Sequence, residues 1–366
     1  MSTTVARGRC RRLTALGVTV LVGVTLAACR APAGPAPGAG GPQEAQAPVP
    51  LTFGVLGSTC DAGRLAVLAR AGVRLVELGA EWSRFEPEQG RVDQGYVEDL
   101  RARIARCAAA GLGVVLTPGL HRAPRWVMDL PDGAYRDQFG QVSPTGVPNF
   151  VFSATVRDAA ARYLDRFAAE FPLDGFAAIR VGTSEAGELG YPSRVLGTGG
   201  NGFWAFDDAA LTGDGLAAGM TANPLPGWVP GGPTRDGAAG IADVGSWFAW
   251  YADSAARAVV WEIRLLRERG FRGDVHLPLA GRGVLPADLA AATAAGLDGT
   301  ADRDGSLERG LHYPTQLRTI AAATRGDPGG VVADVTGVGD ATAVASSTPV
   351  ASATTPSGSA AAIVRS

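Results

Sequence analysis

Lysine is absent from this sequence: all 33 basic residues are arginine, set against 35 acidic ones. A net charge of −2 leaves no strongly basic surface for a polyanion, which argues against nucleic acid as a partner. Arginine-only usage together with 51 glycines is what GC-rich coding DNA produces, and it carries no functional message. Cysteine is scarce as well. Four cysteines in 366 residues, with no Cys-x-x-Cys pair, exclude a disulfide scaffold and a thiolate metal site. Three histidines are too few for a histidine-rich metal centre. Neither G-x-G-x-x-G nor G-x-x-x-x-G-K-[ST] follows an early strand, which weakens a nucleotide-binding reading. Aromatic residues stop at Tyr313, no glutamate follows Glu308, and no charge lies between Asp340 and Arg365. The stretch 340–366 is almost entirely Ala, Thr, Ser, Val, Gly and Pro, a low-complexity tail with too little to bury for packed elements.

What is present begins with an address. Arg7, Arg9, Arg11 and Arg12 precede an apolar run from Leu13 to Ala28, too short for a comfortable membrane span and ending in small residues. Leu26-Ala27-Ala28-Cys29 resembles a bacterial lipobox, whose cysteine becomes the lipidated first residue after cleavage. The alternatives are an ordinary signal peptide with an incidental cysteine, or a retained anchor. Residues 30–50 are rich in Pro, Gly and Ala and predict a flexible tether. The expectation is an exported protein held by its lipid at the outer face of the bacterial cell membrane. Cys60 follows the first strand and Cys107 sits late in a helix, which predicts opposite ends of the fold rather than a bridge.

From Leu51 onward, strands and helices alternate. The apolar runs predict strands at Leu51–Gly57, Val73–Leu78, Leu112–Thr117, Phe176–Gly182, Val275–Leu279 and Gly330–Val335. Helical spacing is seen up to Ala71 and over Glu98–Ala110, Val156–Phe171, Trp247–Arg269 and Leu311–Thr324. Alternation of this kind predicts an α/β fold with a parallel sheet covered by helices. A doubly wound sheet satisfies the same pattern. Polar and aromatic residues, however, collect just after the strand ends: Glu77, Glu81, Trp82, His121, Glu185, Glu188 and Arg282. A (β/α)8 TIM barrel places its active site there, and the barrel is the preferred reading, incomplete with six recognisable strands over 51–339.

The chemistry concentrates after the fourth strand. Glu185 and Glu188 lie three residues apart beyond a buried run, where a partly apolar mouth can turn a carboxylic acid into a proton donor for a leaving oxygen. Glycosidic hydrolysis needs such an acid opposed by a second carboxylate. Trp82, Trp126, Tyr191, Phe203 and Trp204 lie near these strand ends and are candidate platforms for sugar rings, with core packing as the plain alternative. Gly197–Ile241 has little periodicity and is expected to form a cleft wall or a disordered insertion, with Asn201–Trp204 near the subsites.

The segment Val181-Gly182-Thr183-Ser184-Glu185-Ala186-Gly187-Glu188-Leu189-Gly190-Tyr191-Pro192-Ser193 resembles the stretch around the general acid of β-amylases, glycoside hydrolase family 14. That resemblance implies a barrel glycosidase with Glu188 as catalytic acid and Glu185 as runner-up, working with no metal or organic cofactor. It also implies that Glu77 and His121 hold sugar hydroxyls, and Pro124–Asp129 resembles the family's Pro-x-Trp-Val-x-Asp. Trp82-Ser83-Arg84-Phe85-Glu86-Pro87 is similar to the Trp-Ser-Arg-x-Glu-Pro segment of family 42 β-galactosidases. Both families carry a second catalytic glutamate at the end of strand seven, and no counterpart is found here; an aspartate such as Asp334 on the sixth strand could substitute in principle, but nothing in the sequence supports it. A shifted reading frame or a truncated gene would explain the tail, and little or no glycosidase activity is then expected. The substrate-binding set is Glu77, Glu81, Trp82, His121, Tyr191, Trp204 and Arg282. The rival readings are a non-catalytic carbohydrate-binding lipoprotein and the solute-binding protein of an importer.

Overall fold

In a computed structural model of the protein, which describes residues 52–194, 201–232, 240–336 and 362–363, the apolar runs become one sheet. Its strands are β1 (Thr52–Val55), β2 (Val73–Gly79), β3 (Gly113–Thr117), β4 (Ala178–Arg180), β5 (Asp274–Ala280), β6 (Val331–Thr336) and β7 (Ala362–Ile363). The first six are parallel and lie side by side in strict chain order. β7 is a two-residue antiparallel strand on the free edge of β1. Right-handed crossovers between parallel strands put every helix of such a singly wound sheet on one face. A doubly wound sheet would reverse its order at a switch point, and this one does not. The fold is an incomplete (β/α)8 barrel of six parallel strands. The signal segment, Cys29, the tether and most of the tail lie outside the described residues.

Capping residues set where the helices begin. Asp61, Asp93 and Ser153 accept backbone N–H groups from Gly63, Tyr96 and Val156 and start α1 (Ala62–Arg70), α3 (Gln94–Ala109) and α5 (Ala154–Glu170). The last two therefore open a few residues before their apolar periodicity does. α7 (Ile241–Glu268) and α9 (Tyr313–Ala323) correspond to the two later predicted helices. Four helices escaped the sequence reading: α2 (Trp82–Phe85), α4 (Arg125–Met128), α6 (Asp208–Thr212) and α8 (Pro286–Ala294). The first three span barely a turn, and α8 is so rich in alanine that it shows no polar face.

Register sorts the two faces of the sheet. Val76, Leu78, Leu116, Ile179, Val275 and Leu277 share one face, are buried, and form the core with the helices. The other face is polar. Paired positions on parallel strands point the same way, and alternate residues repeat the direction. Arg180 pairs with His276, His276 pairs with Val332, and Asp334 lies two residues beyond Val332. Glu77 pairs with Val115, with Thr117 two residues beyond. Glu77, Thr117, Arg180, His276 and Asp334 thus form a polar row across five adjacent strands, on the face away from the helices.

One expectation is overturned outright. Cys60 and Cys107 form a disulfide, with Cα atoms 5.4 Å apart. The reason is that β1 is only four residues long and ends level with Val76, while β3 starts level with Leu75. The loop after β1 therefore leaves the sheet low, beside the end of α3. The Arg106 Nε–H donates to the Cys60 carbonyl at 2.9 Å and fixes the approach.

Candidate active site

The segment that leaves β4 is a tight loop built on glycine. A Cβ on Gly182 would stand 2.2 Å from the Gly187 carbonyl oxygen, so only glycine lets the two backbones touch. Gly187 has φ +66°, and a Cβ there would meet the His121 ring at 3.2 Å. The Thr183 and Ser184 N–H groups donate to the Glu188 carbonyl at 3.0 and 3.1 Å. The Glu188 N–H donates in turn to Ser184 Oγ at 3.1 Å. Leu189 N–H then bonds the Pro278 carbonyl of β5 at 2.9 Å, and Tyr191 N–H bonds the Arg309 carbonyl at 3.0 Å. The loop is pinned between β5 and the segment before α9, and Glu188 is held over the C-terminal half of β5.

Glu188 is not alone there. Arg309 Nη2 donates to its Oε2 at 3.0 Å, and the two side chains are 5 % and 13 % exposed, respectively. Its carboxylate thus meets a buried guanidinium and not only an apolar wall. Arg309 Nε also reaches the Tyr191 carbonyl at 3.2 Å, so one arginine ties both ends of the motif.

Glu77 and His121 come to the same end of the sheet. Glu77 Oε2 accepts the Gly57 N–H at 2.7 Å, Oε1 accepts the Thr117 hydroxyl at 2.5 Å, and Arg180 Nη1 lies 3.9 Å away. His121 lines a small cavity of about 10 Å³, the size of one water molecule, with Thr117, Arg180, Gly182, Gly187 and Glu262. Burial, with Arg122 and Arg180 nearby, lowers its pKa to about 4, so it is neutral at pH 7. Across the cavity Glu262, projecting from α7, accepts the Gly182 N–H at 3.1 Å. Burial raises its pKa to about 8.

Several predicted site residues do other work. Trp82, expected as a sugar platform, is completely buried. It stacks on Tyr163 at 4.9 Å and donates its indole N–H to Glu86 at 3.1 Å. Glu86 also takes the Gly90 N–H at 2.5 Å and pairs with Arg166, so the Trp-Ser-Arg-x-Glu-Pro segment is an internal staple. Tyr191 is equally buried, stacked on Tyr251 at 4.0 Å. Trp204 is buried and donates to the Pro192 carbonyl at 2.7 Å. Both belong to an aromatic core with Phe203 and Trp247, so residues 201–204 fill space instead of facing a cleft. Glu185 binds Ser193 through the serine hydroxyl and, at 3.1 Å, its N–H, which closes the loop on itself. Glu81 lies 3.8 Å from Arg122 on the surface, and Arg282 is half-buried after β5.

Sequence reading missed Arg180, His276 and Glu262, and it named Asp334 only as an unsupported substitute for the absent carboxylate. The signal was there for three of them. Arg180, His276 and Asp334 each interrupt an apolar strand run with a polar residue, the period-two mark of a two-sided strand. Among the described residues no cluster of His, Cys, Asp and Glu is arranged to hold a metal ion.

No protein-family profile matches the chain, and no curated protein matches it. Solved structures do. The catalytic domain of β-amylase from Paenibacillus polymyxa is 16 % identical over 77 % of this chain and 85 % of its own, with a TM-score of 0.47. The β-galactosidase of the psychrophilic Marinomonas ef1 is 15 % identical over 66 % of this chain and 39 % of its own, with a TM-score of 0.44. That of the haloarchaeon Halorubrum lacusprofundi is 17 % identical over 66 % and 38 %, with a TM-score of 0.43. The chain spans about two fifths of the length of these β-galactosidases. Over the stated shares of its length, the chain is similar to the solved structures of a β-amylase catalytic domain and two β-galactosidases.

Proposed function

We propose that this protein acts on O-glycosidic bonds, with Glu188 as the acid that protonates the departing oxygen. The observation that carries this reading is the position of Glu188. It is delivered by a glycine-locked loop to the C-terminal end of the sheet, over a face that presents Glu77, Arg180 and His276. A polyhydroxylated substrate asks for such alternating acceptors and donors, and neutral His121 can serve as either. The loop resembles that of a β-amylase at Ala186–Leu189 and Tyr191–Ser193, which supports the same assignment. The substrate is a carbohydrate. The protein works outside the cytoplasm, held to the membrane through a lipid on Cys29.

A second reading, carbohydrate binding without hydrolysis, is favoured by the Arg309 partner of Glu188. An acid clamped by a guanidinium must exchange that partner for a proton before it can donate. Turnover of aryl glycosides and α-glucans by the purified protein and by Glu188→Gln separates the two. Hydrolysis that disappears in Glu188→Gln supports the first reading. Retained carbohydrate affinity with no turnover in either protein supports the second. Cys29→Ser should move the protein from the membrane to the soluble fraction, and unchanged partitioning would remove the lipid anchor.

A further inference from the structure

Hydrolysis through Glu188 needs an opposing group to activate water, and the polar row on the sheet contains one. We infer that His276 is that base, oriented by Asp334; this deepens the glycosidase reading and rests on it. His276 Nδ1 lies 3.0 Å from Asp334 Oδ2, and both residues are buried, at 3 % and 5 % exposure. An ionised carboxylate only accepts, so Nδ1 carries the proton and Nε2 keeps its lone pair. The second oxygen, Asp334 Oδ1, is buried and has no hydrogen-bond partner among the described residues. Arg180, which pairs with His276 in the sheet, likewise leaves its buried Nε unpartnered. Buried polar atoms without partners are costly, and two of them lie on this face beside the imidazole, where a polar ligand would satisfy them.

The loop that carries the acid is anchored on the strand that carries His276. Leu189, adjacent to Glu188, bonds the carbonyl of Pro278, two residues beyond His276 on β5. The loop carrying Glu188 is thus anchored two residues from His276 on the same strand, and inverting hydrolysis asks for acid and base ~6.5–9.5 Å apart, with room for a water between them. Glu77, the other carboxylate of the row, already accepts a backbone N–H and a hydroxyl and is poorly placed to take a proton from water.

The step balances as follows. Nε2 removes a proton from water while its oxygen bonds to the anomeric carbon. The glycosidic C–O bond breaks, and the leaving oxygen takes the proton of Glu188. The products are two alcohol groups, with inversion at the anomeric carbon. The imidazolium returns its proton to solvent and Glu188 is reprotonated from it.

The test measures kcat and KM for an aryl glycoside with the full chain, together with the anomer first released, followed by NMR. His276→Asn should lower kcat at least about 100-fold with KM nearly unchanged. Azide should restore turnover to His276→Ala by attacking in place of water. Asp334→Asn, which preserves shape and guards against a folding artefact, should also lower kcat, and Asp334→Glu should recover part of the loss. The first product should be the inverted anomer. A retained anomer, or a His276→Asn enzyme with ordinary kcat, would overturn the role of His276 while leaving Glu188 in place. No turnover by the unmodified protein would overturn both readings together.

Discussion

Arg309 reaches Glu188 across 121 positions of sequence, with Nη2 3.0 Å from Oε2 in a pair largely closed to water. Removing one member of a buried pair strands the other charge, which costs far more than the pair contributes. Arg309→Met should therefore destabilise the protein by about 3–5 kcal/mol, read from the denaturant midpoint. Glu188→Gln keeps an oxygen for the guanidinium and should lose less. Equal losses in the two variants would mean that charge, not hydrogen bonding, holds the loop.

Much of this arrangement was legible beforehand. The strand and helix alternation is written in apolar runs punctuated by glycine, but that alternation alone fits a doubly wound sheet as well, and the strict chain order of the six parallel strands is what decides for the barrel. Glu77, His121 and the Glu185/Glu188 pair stand out as polar residues beside apolar runs, and only the resemblance of the loop to β-amylases singles out Glu188. Burial was not legible. Trp82 and Trp204 carry the same aromatic signature whether they face a sugar or a core, and only packing separates the two. Pairing across long separations was hidden too. The disulfide depends on how low β1 ends, and the His276–Asp334 contact depends on register between β5 and β6. Arg309 lies in a stretch without periodicity, and nothing local marks it as a partner for Glu188.

The Cys60–Cys107 bridge encloses a loop of sequence separation 47. The chain-entropy relation for a loop of that length gives about 4 kcal/mol of stabilisation, so Cys60→Ser with Cys107→Ser should lower the unfolding midpoint markedly. Reductant should shift the unmodified protein to the same midpoint and leave the double variant where it is. A midpoint insensitive to reductant would show that the two thiols are not joined in the folded protein.

Stability should fall as pH rises from about 4.5 toward 8. Glu262 is held neutral by burial, with its pKa raised to about 8 in the folded state from an ordinary value of 4.5. Between those values the folded chain binds a proton that the unfolded chain has lost, which favours folding less with each unit of pH. Asp207 and Glu308, both raised to about 7 by burial, act in the same direction. His121 opposes them below pH 6.5, since its lowered pKa makes the unfolded chain the better proton binder there. Asp302, also raised by burial, joins the carboxyls and His312, also lowered by burial, joins His121, so four carboxyls stand against two imidazoles. Glu262→Gln should flatten the slope and, at pH 8, gain on the order of a few kcal/mol relative to the unmodified protein. Midpoints measured from pH 5 to 9 in both proteins check this, and parallel curves would remove Glu262 as the source.

Trp82 tests whether the Trp-Ser-Arg-x-Glu-Pro segment touches sugar at all. Its ring is wholly buried, stacked on Tyr163 and edge-on to Trp126, and its N–H is spent on Glu86. Trp82→Phe keeps an aromatic face against Tyr163 but leaves one oxygen of Glu86 without its donor. Glu86 retains Arg166 and the Gly90 N–H, so the carboxylate is weakened in its support and not abandoned. A buried acceptor that loses one partner costs about 1–3 kcal/mol, and the smaller ring adds a packing loss of similar size. The expected result is a clearly lower unfolding midpoint with carbohydrate affinity unchanged once the protein is folded. A sugar platform behaves in the opposite way: stability is nearly preserved, and affinity falls because the stacking face has shrunk. Measuring both quantities on one variant decides between them, and a loss of affinity without a loss of stability would return Trp82 to the binding surface.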